Sequence, residues 1–479
     1  MAELANEIYF AGIAELSRML LAKEATAVNL ARAFGRRLET LGPRYNALAL
    51  PLTERAIRQA KAVDAEIHLW RKRGKLRGPL VGIPYGAKDL LSVAGQITAW
   101  GARPYAAQVF DYDATVVHKL ESAGAPLVGK LAMVELAGGP GYRYASASLT
   151  WPGLNPWDRT RWSGGSSSGC AIAVAAGLVP FAIGSETSGS ILTPAAFCGV
   201  TALRPTYGLV SRYGAMPLSW TLDRLGPFCR SAEDCGLVLE TIAGGDRRDP
   251  GSAGKSFYYT PQYARKMSEL RIGFAPADFN EWPEEAARPA FQQALEAMRG
   301  LGATMVETRL PDFPYGSTID AIISADAASV FEPLISSGKV DELADQKQIA
   351  GLKAGLEISA NVYLKAMRVR RLAREAIFKL FGDVDVLLTP ARLGTAPKID
   401  EPLDHRPDRA RPKDAGLTAL IPAGNLAGMP ALALPCGFAD NLPVALQLAG
   451  VPFSENTLLA VGKEFQSRTD WHKRKPPTG

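Results

Sequence analysis

The sequence predicts an α/β protein of layered helices and strands, and three observations carry that expectation. Amphipathic helical periodicity alternates with short apolar runs, as where ATVVHKLESAG (114–124) leads straight into APLVGKL (125–131). The pattern recurs at 170–178 and 179–184, an alanine-rich helix followed by a buried strand. With 479 residues, 47% of them hydrophobic, the chain can bury a large core without help from disulfides or metals.

Taken in order, helical periodicity covers 12–21, 26–40 and 53–67, with a short strand, NALALPL, between the second and third. RKRGKLRGPL is a turn-rich basic break. In VGIPYGAKDLLSVAG (81–95) an apolar stretch is interrupted by Pro84, Gly86 and Lys88. Residues 136–169 form a long loop rich in Gly, Ser, Pro and aromatics, and loops of that length inside a compact domain often carry function. Helix 170–178, strand 179–184 and the turn ETSGSILTP (186–194) follow. The segment 250–345 is less organised: a strand at LRIGFA (270–275), a helix at EEAARPAFQQALEAMRGLG, a strand at ATMVETRL, then a mixed stretch. VYLKAMRVRRLAREAIFKLF (362–381) is a basic helix, VDVLLTP (384–390) a strand, and 425–450 reads as two strands joined by a turn.

The net charge of +6 is scattered, with local clusters at 71–77 and 472–476. No aromatic residues interleave them, so they read as solvated faces rather than a nucleic-acid surface. Five cysteines (Cys170, Cys198, Cys229, Cys235, Cys436) without C-x-x-C spacing predict buried free thiols, not a disulfide framework or a zinc site. The first 20 residues lack the basic n-region of a signal peptide. No apolar run approaches the roughly 18 residues of a membrane span. A soluble cytoplasmic protein is expected.

The stretch SGGSSSGC (163–170) raises the question of chemistry. It formally matches the G-x-S-x-G elbow with Ser167 at its centre, but that elbow needs a strand before it, and LNPWDRTRWS is polar and proline-broken. None of the four histidines (His68, His118, His405, His472) lies in a glycine- or serine-rich setting. A phosphate loop fails because Cys170 stands where lysine is required. A lysine base is the other option. Free lysine titrates near about 10.4, and burial lowers that value. Lys88, among apolar and small residues, is the candidate; pairing with Asp89 is the alternative reading.

These residues belong to a wider set of motifs: GIPYGAKD (82–89), DATVV (113–117), GK (129–130), NPWD (155–158), GGSSSG (164–169), GSETSGSILTPAAFCG (184–199), RPTYGLVSRYGAMP (204–217), LDRLGP (222–227), NLAGMPALALPCGF (425–438) and LPVALQLAG (442–450). In this order they resemble the amidase signature family of serine hydrolases. The resemblance implies a large mixed, twisted β-sheet covered by helices on both faces. It implies a single domain over 1–479, with an N-terminal helical segment (1–70), a catalytic core (71–245), a variable peripheral segment (250–345) and a C-terminal part completing the core (346–479). By resemblance Ser190 is the nucleophile; Ser166, preceded by a cis peptide, relays the proton; and Lys88 is the ultimate base. Backbone N–H groups of Thr187, Ser188, Gly189 and Ser190 would hold the oxyanion, without metal or cofactor. Ser163, Ser167 and Ser168 are left to loop closure and helix capping.

Three positions depart from the family pattern: Glu186, Ser188 and Leu192 stand where aspartate, glycine and arginine are usual. In the related glutaminase subunits of tRNA-dependent amidotransferases, an arginine and an acid hold the amino-acid substrate. Alignment puts Arg370 at the first position and Thr418 at the second, with Asp414 out of register, so poor binding of free glutamine or asparagine is expected. Tyr142, Tyr144, Leu149, Trp151 and Trp162 of the long loop, with Met133 and Leu192, predict an apolar substrate wall. The expected activity is therefore a stand-alone hydrolase of neutral, apolar or aryl amides, extending to carbamates and esters. It would be a monomer or homodimer, with a small-molecule substrate and no nucleic acid or membrane as partner. Two alternatives stand beside it: a glutaminase-type subunit working with partner chains, and a non-catalytic binding member.

Overall fold

Thirteen strands form among the described residues: β1 (Leu48–Pro51), β2 (Tyr85–Lys88), β3 (Leu127–Leu131), β4 (Leu154–Asn155), β5 (Asp158–Trp162), β6 (Phe181–Glu186), β7 (Thr201–Arg204), β8 (Arg224–Cys229), β9 (Arg271–Phe274), β10 (Thr304–Glu307), β11 (Val386–Pro390), β12 (Ala431–Ala439) and β13 (Leu442–Ala449). The computed structural model describes residues 6–71, 76, 78–404 and 416–477. Most of the basic run 71–77, His405 and Asp414 lie outside these residues.

Eleven strands make one sheet in the order β1-β3-β2-β6-β8-β7-β12-β13-β11-β9-β10. β3, β2 and β6 run parallel, as do β11, β9 and β10, while the strands between them pair antiparallel. Every residue of β2, β3, β6, β7, β8, β11 and β13 is buried, so both faces of the sheet are covered. That explains why these strands read as continuous apolar runs instead of alternating.

The three N-terminal helices form as Ile13–Leu21, Ala27–Leu41 and Thr53–Arg71, the second capped by the Thr26 hydroxyl accepting from Asn29 N. The 136–169 stretch is not all loop: β4 and β5 make a hairpin, and the next helix starts at Ser168. The mixed stretch after β10 contains a sixteen-residue helix, Tyr315–Val330, which buries Ile319, Ile322 and Ile323. Asn425 sits in a helix, Leu420–Ala427, ended by Gly428 at φ 75°, and the strand begins only at Ala431. Its apolar composition hid the helix, because a short buried helix and a buried strand look alike in sequence. No helix among the described residues is long and apolar enough to cross a membrane. All five cysteines are buried and unpaired.

The sheet's order brings together motifs far apart in sequence. β2 and β6 are parallel neighbours, so Lys88 and Glu186 end adjacent strands, and Arg224 of β8 pairs in register with Glu186. Carboxyl ends of parallel strands are the usual place for a site in an α/β sheet.

Candidate active site

Lys88 is the last residue of β2 and is fully buried. Its Nζ donates to Ser166 Oγ at 2.7 Å and to Ser185 Oγ at 2.9 Å. Burial pushes the ammonium down to about 7, opposed only in part by Cys170, Asp223 and Glu186. Asp89 is not its partner: strand alternation turns that carboxylate the other way, onto Lys130 Nζ at 2.9 Å.

The serine cluster divides its work. The Gly165–Ser166 peptide is cis, and Ser166 O accepts from Val134 N at 3.1 Å. Ser167 Oγ donates to Ser185 O (3.0 Å) and accepts from Ser185 N (3.2 Å), while Ser167 N donates to Ser190 O (3.3 Å). The two serine motifs are thereby fastened to each other. Ser168 Oγ donates to Ala132 O and Ser163 Oγ to Gly164 O. Ser167, at the cap position, makes no side-chain capping bond, so these hydroxyls close loops and do not cap the helix.

Residues 187–190 form the turn after β6, and the departures from the family pattern are accommodated there. Glu186 reaches across the turn: Oε2 accepts from Ile191 N (2.9 Å) and Leu192 N (3.0 Å), and Oε1 from Arg204 Nη1 (2.9 Å) and Asn425 Nδ2 (2.8 Å). Burial alone would raise this carboxyl, but Arg204, Asn425 and the backbone donors hold it down at about 2. Gly189 has φ 89°, whereas Ser188 lies outside the positive-φ region, so a serine fits without strain. Thr187 Oγ1 donates to Asp223 Oδ1 at 2.6 Å, and Asp223 Oδ2 takes the N–H groups of Leu218 and Ser219. Ser190 is partly buried and opens on a cavity. Its hydroxyl makes no hydrogen bond among the described residues, and such bonds commonly tighten only with substrate present.

That cavity holds about 500 Å³ and is lined by Tyr142, Trp162 and Phe197 as well as Ser188, Arg392 and Asp320. Tyr142 and Trp162 thus stand where the sequence placed them, in edge-to-face contact at 6.1 Å. The other expected wall residues do not. Met133 and Leu149 line a separate cavity of about 140 Å³ beside Asp89, because Met133 turns toward Gly101. Leu192 is buried in the core: Glu186 holds its N–H, and its side chain packs away from the cavity. Trp151, 71% exposed, and Tyr144 lie outside the cavity wall.

Arg370 does not face the cavity. Its Nε donates to Leu426 O (2.9 Å), Nη1 to Thr221 Oγ1 (2.6 Å) and Nη2 to Thr221 O (2.8 Å). Sequence reading missed Ser185, Arg204 and Arg392. Ser185 and Arg204 lay within quoted motifs, but Arg392 follows β11, in a stretch with no motif at all. Among the described residues no cluster of His, Cys, Asp and Glu is suited to a metal ion.

A family model described as Amidase matches residues 29–459. The A subunit of glutamyl-tRNA(Gln) amidotransferase from Chloroflexus aggregans is 36% identical, the match covering 98% of this chain and 99% of that one. The protein of the same name from a Synechococcus species is 38% identical over 98% of this chain and 94% of its own. A solved chain from work on a vestigial protein complex and the evolutionary origins of an s-triazine catabolic enzyme superposes with TM-score 0.85 at 30% identity, covering 95% of this chain and 98% of that one. The names of the two curated relatives overturn the expected stand-alone hydrolase of neutral, apolar or aryl amides. They equally overturn a partner list confined to a small molecule, without nucleic acid, on a monomer or homodimer. A large mixed sheet with the motif ends of β2 and β6 side by side, a family model spanning most of the chain and relatives matching nearly end to end make this protein a member of the amidase signature family, whose chemistry is on C–N bonds.

Proposed function

We propose that this chain is the amide-hydrolysing subunit of an amidotransferase, cleaving a primary amide and passing the ammonia to a reaction carried out with partner chains on glutamyl-tRNA. The relatives that match it nearly end to end, each named as the A subunit of such an enzyme, support the assembly. One observation carries the chemistry: a fully buried lysine, titrating at about 7, bonded to two hydroxyls and to no acid.

Neutral Lys88 has two N–H bonds and a lone pair. Ser185 takes one N–H, which leaves the lone pair for the Ser166 proton. Ser166 in turn takes the proton of Ser190, whose Oγ attacks the amide carbon. The oxyanion that forms would lie on the N–H groups of the 187–190 turn. The proton then returns through Ser166 to the amide nitrogen, the C–N bond breaks and ammonia leaves. Water, deprotonated along the same route, cleaves the Ser190 ester and restores the enzyme.

The test is to recover the tagged chain under mild conditions from cells that make it, and to follow ammonia release from glutamine. The expected result is co-purification with partner chains and an assembly that loses ammonia release on Ser190→Ala. A chain that emerges alone and hydrolyses an acyl anilide as fast as glutamine would overturn the proposal.

A further inference from the structure

We infer that Arg392 selects the substrate, holding a carboxylate of the amide whose carbonyl meets Ser190. The inference rests on the reading of the Ser190 cavity as the amide site, and it adds the substrate class: an amide that also carries an acid group.

Arg392 stands two residues beyond β11, on the end of a buried strand, which fixes its backbone. It lines the same cavity as Ser188 and Ser190, and a methyl group built on Gly189 would lie 3.4 Å from its Nη2. The guanidinium is thus a close neighbour of the proposed nucleophile. Its Nε donates to Thr193 Oγ1 at 3.0 Å and Nη2 bonds the same oxygen. Both bonds go to one neutral hydroxyl. A guanidinium has five N–H donors, so the Nη1 edge keeps its own, and Arg392 is open to the solvent of the cavity.

Three other cations of this protein are paired with acids, whereas among the described residues buried Arg224 bonds only Asn425 and buried Lys88 only two hydroxyls. Arg204 bonds Glu186, Arg212 bonds Asp249 and Lys130 bonds Asp89. Among the described residues no carboxylate bonds Arg392. Asp320, the acid in the same wall, has a bonding partner of its own. A planar fork of donors aimed into a substrate cavity, with no internal anion, fits a carboxylate bidentately. Arg370 cannot serve, since its Nε and both Nη atoms are committed to Thr221 and Leu426. Leu192, in the helix after the 187–190 turn, carries no charge, and Arg392 brings a cation beside Ser190 from beyond the end of β11.

Three amides of matched length separate the contributions: glutaramate (carboxylate only), glutamine (carboxylate and ammonium) and pentanamide (neither). Binding to the full-length Ser190→Ala chain is measured by calorimetry, with Arg392 intact or changed to Gln or Lys. The expected result is that glutaramate binds more tightly than pentanamide, and that Arg392→Gln lowers this preference by about 10- to 100-fold. Arg392→Lys keeps the charge without the fork and recovers part of it. No preference for glutaramate, or a preference unchanged by Arg392→Gln, overturns the inference. So does equal weakening of glutaramate and pentanamide, which would mean that Arg392 only props Thr193. Turnover with Ser190 restored separates the two claims. Arg392-dependent binding without hydrolysis counts against the proposed function alone; hydrolysis with binding indifferent to Arg392 counts against this inference alone.

Discussion

Lys88 is buried with no acid bonded to it, and that has two measurable consequences. A base must be neutral to work, so kcat/KM is expected to climb about tenfold per pH unit on the acid side and to level off above about 7. The same shift costs stability. Between about 7 and the ordinary lysine value of about 10.4, the unfolded chain holds a proton that the folded chain has released. Stability therefore rises with pH through that window, and the cost is largest below it. Lys88→Met is expected to abolish turnover yet to resist denaturant better than the parent at pH 7, with the gain shrinking toward pH 10. Unfolding titrations at the two pH values decide it; a gain equal at both would mean that Lys88 is charged in the folded protein.

At the scale of the element, the 187–190 turn is shaped by what surrounds it. Glu186 ties the chain just beyond Ser190 to Arg204 and Asn425, and Asp223 ties the stretch before it through Thr187. Glu186→Gln leaves Arg204 buried without its anion. The expected loss is about 3–5 kcal/mol of stability in guanidinium unfolding, with kcat reduced even where the variant stays folded. Gly189→Ala tests the turn itself. At φ 89° a side chain is strained, and its methyl would meet Thr193 Oγ1 at 3.0 Å. Activity is expected to fall while global unfolding moves little, because the strain is local to a turn.

Across the whole molecule, the sheet sets a gradient of stability. The central strands β7 and β8 are buried along their length and have neighbours on both sides, whereas β10 is an edge strand whose two end residues are exposed. Native-state hydrogen exchange is expected to release β10 amides first and β7 and β8 amides last. Exchange at equal rates in all three strands would contradict a single graded sheet. The candidate site lies at the protected end, since β2, β6 and β8 carry it. A lysine kept out of water needs such a setting.

By itself the sequence determined the helices and strands with strong periodicity and the family to which the motifs point. It also put forward Lys88, Ser166 and Ser190 as the proposed catalytic groups, because they stand in recognisable local strings. Tyr142 and Trp162 were legible as cavity wall, but Met133, Leu149 and Leu192 were not separable from them: apolar residues look the same whether they face substrate or core. Tertiary structure alone decided that Ser185 shares the lysine and that Glu186 closes the 187–190 turn. It alone withdrew Arg370 behind Thr221 and Leu426, and brought Arg392 from the far end of β11 to the side of Ser190. The physical reason is that hydrogen bonds and charges act through space over a few ångströms. The strand order that sets Arg204 against Glu186 and brings Arg392 to the cavity of Ser190 is set by the packing of the whole sheet.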